Sequence, residues 1–318
     1  MATAINPGWS KPAAILFACE VTVNEKAFSF ALAEAAEFGA ELILFHAFHT
    51  PYDAEPENSD LLHYSMSAAR AHKRTFEPLV ERARSLGVHC KIVVSPGLAA
   101  EQILLLLRER KFDRVVMGTH SPGPVGKLLV GSVAEQVLRN SNVPVSIVGS
   151  EVIEGAYRHC ATRTILCAVG DNGSGPVVVS FAAELAARQK ASLILQHVIP
   201  PQNADEFLAG RTLDQIEAEL PALMPQRLQH KIQVRTRVVL GDPTEELLYQ
   251  GRALHASLIV MGAQGASHFA AVSRAGIVYK VLAFSQCPVL TLSPVVLAEC
   301  GASQEQPRSS ELCMAGVF

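Results

Sequence analysis

The sequence predicts an α/β protein built as two tandem open parallel five-stranded α/β domains, and three observations predict it. Short β-branched apolar runs alternate with helical patterns along most of the chain. Runs without polar alternation suit strands buried on both faces of a parallel sheet. The order then repeats: R-V-V-M-G (114–118) returns as L-I-V-M-G (258–262), and Gly97/Gly241, Met117/Met261 and Pro144/Pro288 all share one offset. The front halves pair as well, I-L-F-A-C (15–19) with I-L-C-A-V (165–169) and L-I-L-F-H-A (42–47) with L-I-L-Q-H-V (193–198). Their offset is a few residues larger, so the first copy is longer between its second strand and Gly97. A repeat this long is a duplicated domain and not a solenoid period.

In the first copy, strands are predicted near 13–19, 41–47, 90–95, 113–118 and 144–149, with helices near 24–38, 61–87, 99–110 and 132–140. The second copy gives strands near 164–169, 192–198, 233–239, 257–262 and 288–293. The predicted domains are 11–150 and 160–294. The polar stretch 295–318, punctuated by Gly, Ser and Pro, is read as a disordered tail.

Composition bounds the function. With 318 residues, 49% of them hydrophobic, there is apolar material for two cores. No stretch of about 18 uninterrupted apolar residues exists, so no membrane partner is expected. The N-terminus lacks the apolar core of a secretory signal. Seven scattered cysteines without a C-x-x-C pair suit reduced thiols and a cytoplasmic location, and argue against a disulfide framework or structural zinc. A net charge of −3 gives no reason to expect nucleic acid.

Open α/β sheets bind ligands at the carboxyl ends of their strands, so the loops after strands one, two and four matter most. The loop after strand four runs from Met117 and Gly118 through His120, Ser121, Gly123 and Lys127 to Gly131, Ser132 and Val133. Ser132 and Glu135 have the S-x-x-E spacing of a capping box, which predicts a helix start at Ser132. A helix start preceded by glycine also suits a phosphate, with Lys127 as an added cation. Strand-to-helix loops carry glycine without any ligand, however, and a capping box needs none. The loop is not a Walker loop, since Leu128 follows Lys127, and no G-x-G-x-x-G follows strand one.

Other chemistry is less well supported. His46 and His197 end the second strand of each copy and read as packed histidines bonded to a neighbouring loop. His46 and His49, with His63 and His72 nearby, have metal-like spacing, but a strand end does not aim both rings at one point. Cys19 and Cys167 read as small buried hydrophobes. No Ser-His-Asp set or paired carboxylates stand out, and His120, Lys127 and Ser132 are the only groups placed for catalysis.

The segment G118-T-H-S121, nine residues, then G131-S-V-A-E-Q-V-L-R-N-S-N-V-P144-V resembles the signature of the universal stress protein domain. The resemblance covers about 13–150 and 164–293. It implies a Rossmann-like, adenine nucleotide alpha hydrolase-like fold and, as cofactor, ATP or another adenine nucleotide. Carried over by position, Glu20 would contact the ribose and Ala47, beside His46, the adenine. Met117, Gly118 and His120 follow strand four, and Gly131, Ser132 and Val133 would bind phosphate. Two departures point to weak binding. Glu20 stands where the family has Asp, and Ser121 where it has a second loop glycine.

In the second copy Gly262 and Gly265 are kept, but Ala275-Gly276 replaces Gly-Ser and Asp171 is shifted by one place. The positions Asp171, Val198, Met261, Gly262, Gly265 and Gly276 therefore read as a degenerate second site. Family members dimerise through the last strand, so Val145–Val148 and Val289–Leu292 are expected to join the copies as an intramolecular pseudo-dimer; a homodimer and a protein partner are left open. The function implied is a nucleotide-binding stress-response regulator without clear catalysis. The alternatives are a protein-interaction module with decayed pockets and a slow ATPase.

Overall fold

In the computed structural model the described residues are 6–49, 59–119, 130–155, 163–170, 173–208, 210–263 and 276–302. The first half contains α1 (Pro7–Ser10), β1 (Ala14–Ala18), α2 (Glu25–Phe38), β2 (Glu41–Phe48), α3 (Ser59–Ser85), β3 (Cys90–Pro96), α4 (Ala99–Glu109), β4 (Arg114–Gly118), α5 (Ser132–Asn140) and β5 (Val145–Val148). The second contains β6 (Thr164–Val169), α6 (Gly175–Gln189), β7 (Ser192–Ile199), α7 (Ala204–Leu208), α8 (Leu213–Glu219), β8 (Val234–Leu240), α9 (Pro243–Ala253), β9 (Leu258–Gly262), α10 (Ile277–Phe284), β10 (Val289–Leu292) and α11 (Pro294–Ala302).

All ten strands form one sheet in the order β3-β2-β1-β4-β5-β10-β9-β6-β7-β8. Within each half the strands are parallel. The halves meet where β5 and β10 pair antiparallel, Val145 opposite Thr291 and Ile147 opposite Val289. This is the predicted joint, and it leaves neither strand as an open edge. Thr291 Oγ1 donates to the Val145 carbonyl across it (3.1 Å), and Ser293 Oγ donates to the Ser141 carbonyl.

The core has two layers, one on each face of the sheet, and both run through the two halves. Ile15, Phe17, Leu42 and Leu44 share one layer with Ile165, Cys167, Leu193 and Leu195. Leu16, Ile43 and Phe45 share the other with Leu166 and Ile194. Neighbouring residues on a strand thus point to opposite, equally apolar sides, which is why the strands read as unbroken apolar runs.

Local signals set the helix ends. Asn24 caps α2 by accepting from the Ala27 amide (3.0 Å), and Gly39 closes it at φ 65°, a conformation glycine adopts without steric cost. Asp242 caps α9 by accepting from the amides of Thr244 and Glu245, with Pro243 at the first helical position.

Polar contacts tie the halves together beyond the sheet. Arg163 pairs with Glu37 of α2 (2.6 Å), and Arg188 of α6 donates to Ser10 of α1 (3.0 Å). Within the first half, Arg114 is fully buried, forms an ion pair with Glu34, and donates to the Trp9 carbonyl (2.7 Å).

One expectation is corrected. Residues 295–302, read as the start of the tail, belong to α11, with Val296, Leu297 and Cys300 buried in the core layer of α2 and α6. Residues 303–318 lie outside the described residues. Between β7 and β8 the described residues of the second half form α7, α8 and short 3-10 turns where the first half has the long α3. No helix among the described residues is long and apolar enough to cross a membrane.

Candidate functional site

The order 3-2-1-4-5 within each half makes the chain reverse its direction of winding between the first and fourth strands. The two crossovers diverge there and leave a crevice at the strand ends. In the first half this crevice is a cleft of about 180 Å³ between the carboxyl ends of β1, β2 and β4 and the start of α5. The predicted residues Glu20, Ala47, Met117, Gly118, Gly131, Ser132 and Val133 all line it. His120 and Lys127, with Ser121, lie outside the described residues.

Each wall has its own physical origin. Glu20 follows β1 and is exposed at the mouth. Ala47 leaves a flat apolar surface at the end of β2. Gly118 is required by packing, because a Cβ there would lie 2.7 Å from atoms of Asn24. Asn24 in turn donates to the Thr119 carbonyl (3.1 Å), fastening the loop after β4 to α2. Asn24 and Thr22 are lining residues that the sequence reading missed; an Asn just before a helical pattern is a capping signal that could have found the first.

Gly131 is different. Its φ is −55°, which any residue adopts, and a Cβ there would meet nothing within 4 Å. Neither backbone strain nor packing explains this glycine, so the space beside it is open cleft. It is also the N-cap of α5, and here the capping box is corrected. Ser132 is the first helical residue, one place past the Gly131 N-cap, whereas a capping box needs its Ser or Thr at the N-cap itself. Glu135 instead pairs with Arg139 one turn on (2.7 Å). The Glu135 amide closes the first helical turn on the Gly131 carbonyl (2.9 Å), so the amides of Ser132, Val133 and Ala134 have no partner within the helix. These three residues line the cleft.

His46 is held as the sequence predicts. Its Nδ1 donates to the Cys19 carbonyl (2.9 Å), and its ring lies 4.7 Å from His72 and 5.2 Å from Phe76. Burial lowers its pKa below 6.5. The second copy repeats the arrangement, His197 Nδ1 donating to the Val169 carbonyl (2.7 Å). In both halves the histidine locks the second strand to the end of the first. Burial pushes the Cys19 thiol up to about 12, so it is not a nucleophile at neutral pH. Among the described residues no group of three His, Cys, Asp or Glu is placed to hold a metal.

The equivalent crevice of the second half is larger, about 510 Å³. Val198, Met261, Gly262 and Gly276 line it, while Asp171 and Gly265 lie outside the described residues. Here α10 begins at Ile277 after Gly276, without a hydroxyl at the turn.

A duplicated open α/β half, each with a crevice at its switch point and the two joined through their last strands, defines the class of protein. The profile of the universal stress protein family matches residues 14–149 and again 161–293. The chain belongs to the universal stress protein family, in a tandem form. A universal stress protein of Mycolicibacterium smegmatis is 22% identical over 290 residues, covering 85% of this chain and 93% of its own length. One from Thermus aquaticus is 30% identical over 125 residues, 39% of this chain and 88% of the relative. Among solved structures, a universal stress protein from Archaeoglobus fulgidus superposes with a TM-score of 0.68 at 18% identity, covering 91% of this chain and 98% of that one. A functionally unknown protein from Pseudomonas aeruginosa gives 0.62 at 17% identity, covering 94% and 100%. At these identities the structural likeness establishes the fold.

Proposed function

We propose that the first half binds an adenine nucleotide and that the protein is a cytoplasmic nucleotide-responsive regulator of the stress response, without turnover. The observation that carries this reading is the start of α5. Three amides without helical partners, the Ser132 hydroxyl and the open space beside Gly131 face one cleft with Glu20 and Ala47. A helix N-terminus favours negative charge. Glu20 suits a ribose, since a carboxylate accepts from vicinal hydroxyls, and Ala47 offers an apolar seat for a base. Catalysis would need a group aimed at the scissile bond. Of the described lining side chains, His46 commits Nδ1 to the backbone and Glu20 lies at the ribose end. Binding would act by favouring one arrangement of the protein, by no more than its differential affinity for it.

The test is mass spectrometry of small molecules released from gently purified chain, followed by calorimetry with ATP, ADP and AMP. Gly131→Asp should abolish binding while the fold survives, because the new carboxylate has room and repels phosphate. Ala275→Asp should change affinity little. Equal losses from both changes, or no binding of any of the three nucleotides, would overturn the proposal.

A further inference from the structure

The second half carries a feature that decay does not explain. Gln196 lies in β7 and lines the 510 Å³ cavity. It is 1% exposed, and neither Oε1 nor Nε2 of its carboxamide has a hydrogen-bond partner. Arg237 stands in register with Gln196 on the outer strand β8 but does not supply the missing bond. A buried amide left without partners is costly, and such groups in folded proteins call for an explanation. The first half needs no such group. Its residue at this place is Phe45, which stands in register with Ala18 as Gln196 does with Ala168.

The rest of the cavity narrows the chemistry. Val169, Val178, Leu247, Met261 and Ile277 supply apolar wall, and Ser174, Asn203 and His197 add polar groups. No Asp, Glu, Lys or Arg occurs among its described lining residues. The counterpart of Ser132 is Gly276, so the hydroxyl at the helix start is gone. An apolar cavity of several hundred Å³ with a few convergent polar groups is the usual form of a small-molecule site.

We infer that the second half binds an uncharged, planar molecule carrying an N–H and a C=O side by side on one edge, such as a cyclic amide or a nucleoside base, which Gln196 reads with both atoms of its carboxamide. Oε1 accepts from the ring N–H while Nε2 donates to the neighbouring carbonyl, and both buried atoms are satisfied at once. Among the described lining residues no cationic side chain and no hydroxyl at the helix start stands beside the α10 amides to favour a phosphate. The two halves would then take different ligands, the second selecting by a hydrogen-bonded edge and not by charge. A site built to hydrogen-bond a ligand rejects the analogue that lacks the group, because its own polar atoms are then left unpaired.

The test uses the full chain carrying Gly131→Asp, which removes phosphate binding in the first cleft, and loss of nucleoside binding in Gln196→Met then assigns the site to the second half independently of the function proposed above. Uridine and inosine, each with a ring N–H beside a carbonyl, are titrated calorimetrically against 3-methyluridine and 1-methylinosine, in which a methyl group replaces that N–H. At least one nucleoside is expected to bind with one-to-one stoichiometry, and its methylated form at least about tenfold more weakly. The phosphorylated forms, UMP and IMP, should bind no better than the nucleosides. Gln196→Met, close in shape but without the amide, should lose the binding and raise the unfolding midpoint of the ligand-free protein. Absence of binding by both nucleosides, equal affinity for the methylated forms, or unchanged binding in Gln196→Met would each overturn the inference. If the Met variant fails to fold, Gln196→Glu, which keeps the shape and one acceptor but loses the Nε2 donor, should likewise weaken the parent nucleosides, and unchanged binding in it would overturn the inference.

Discussion

Ser132 separates a helix start from a binding site. Because Gly131 and not Ser132 is the N-cap, Ser132→Ala removes no capping hydrogen bond. Alanine is the better helix former by up to about 0.7 kcal/mol, so the unfolding midpoint should hold or rise slightly. Nucleotide affinity should fall nonetheless. A hydrogen bond to a charged group contributes about 1.5–3 kcal/mol, which is roughly a tenfold to hundredfold loss. Ser132→Asp widens the gap. An acidic residue in the first turn favours the helix by about 0.3–1 kcal/mol. Against a phosphate about 4 Å away, it costs about 1 kcal/mol at the dielectric of water and about 4 kcal/mol at an effective dielectric of 20. Ser132 is exposed, so screening by water holds the cost toward the lower part of that range. The assay pairs thermal unfolding with calorimetric titration of ATP and AMP. If Ser132→Asp keeps both its midpoint and its affinity, the loop is a helix start only, and a protein-interaction role should replace the nucleotide reading.

Removing one partner of the fully buried Arg114–Glu34 pair, as in Glu34→Ala, should cost about 3–5 kcal/mol in urea unfolding, whereas Glu34→Leu with Arg114→Met should cost much less because no lone charge stays buried. Ending the chain after Ser293 should lower stability, since Val296 and Leu297 bury side chains worth about 1.5–3 kcal/mol each before the entropy of ordering α11 is offset. The lowered pKa of His46 means that the folded state binds fewer protons than the unfolded chain once pH drops below 6.5. Stability should therefore be full above that pH and fall as pH drops toward the lower folded value. His46→Asn, which still offers a donor to the Cys19 carbonyl, should flatten that slope in urea titrations at pH 7.5 and 5.5.

The strands of each half were legible because duplication writes the same apolar runs twice, and the joint between the halves followed from the family resemblance. Pro144 and Pro288 mark the same turn in each copy. Ser141 and Ser285 before them make the same bond, each donating to the carbonyl two residues on (2.7 Å). The S-x-x-E at Ser132 misled because its glutamate serves two geometries equally well. It can reach back to a cap, or forward to a basic residue four places on, and Arg139 decides for the second. The start of α11 was hidden by the polar composition of the chain beyond it, although Pro294 before Val-Val-Leu is an ordinary first-turn signal. Glu34 and Arg114 are far apart in sequence, and nothing local announces that both are buried. Gln196 is visible as one changed letter between L-I-L-F-H and L-I-L-Q-H, but its significance depends on burial, which only the packed structure supplies.

The antiparallel meeting of β5 and β10 has a consequence for how two ligands could influence each other. Strands within a half are parallel, so reversing direction at the joint sends the carboxyl edge of one half to the opposite end of the sheet from the other. The two crevices therefore open at opposite ends of one continuous structure and share no lining residue. A direct clash or shared contact between ligands is excluded by this geometry. Coupling would have to pass through elements both halves hold in common, which are the β5–β10 pairing, the Ser293–Ser141 contact and the continuous core layers. These are buried and tightly paired, and a packed core gives way only by moving between discrete arrangements. Any cooperativity between the sites is thus limited to the difference in affinity each ligand has for two such arrangements. Without a second arrangement, the halves would act as two independent sensors on one rigid sheet.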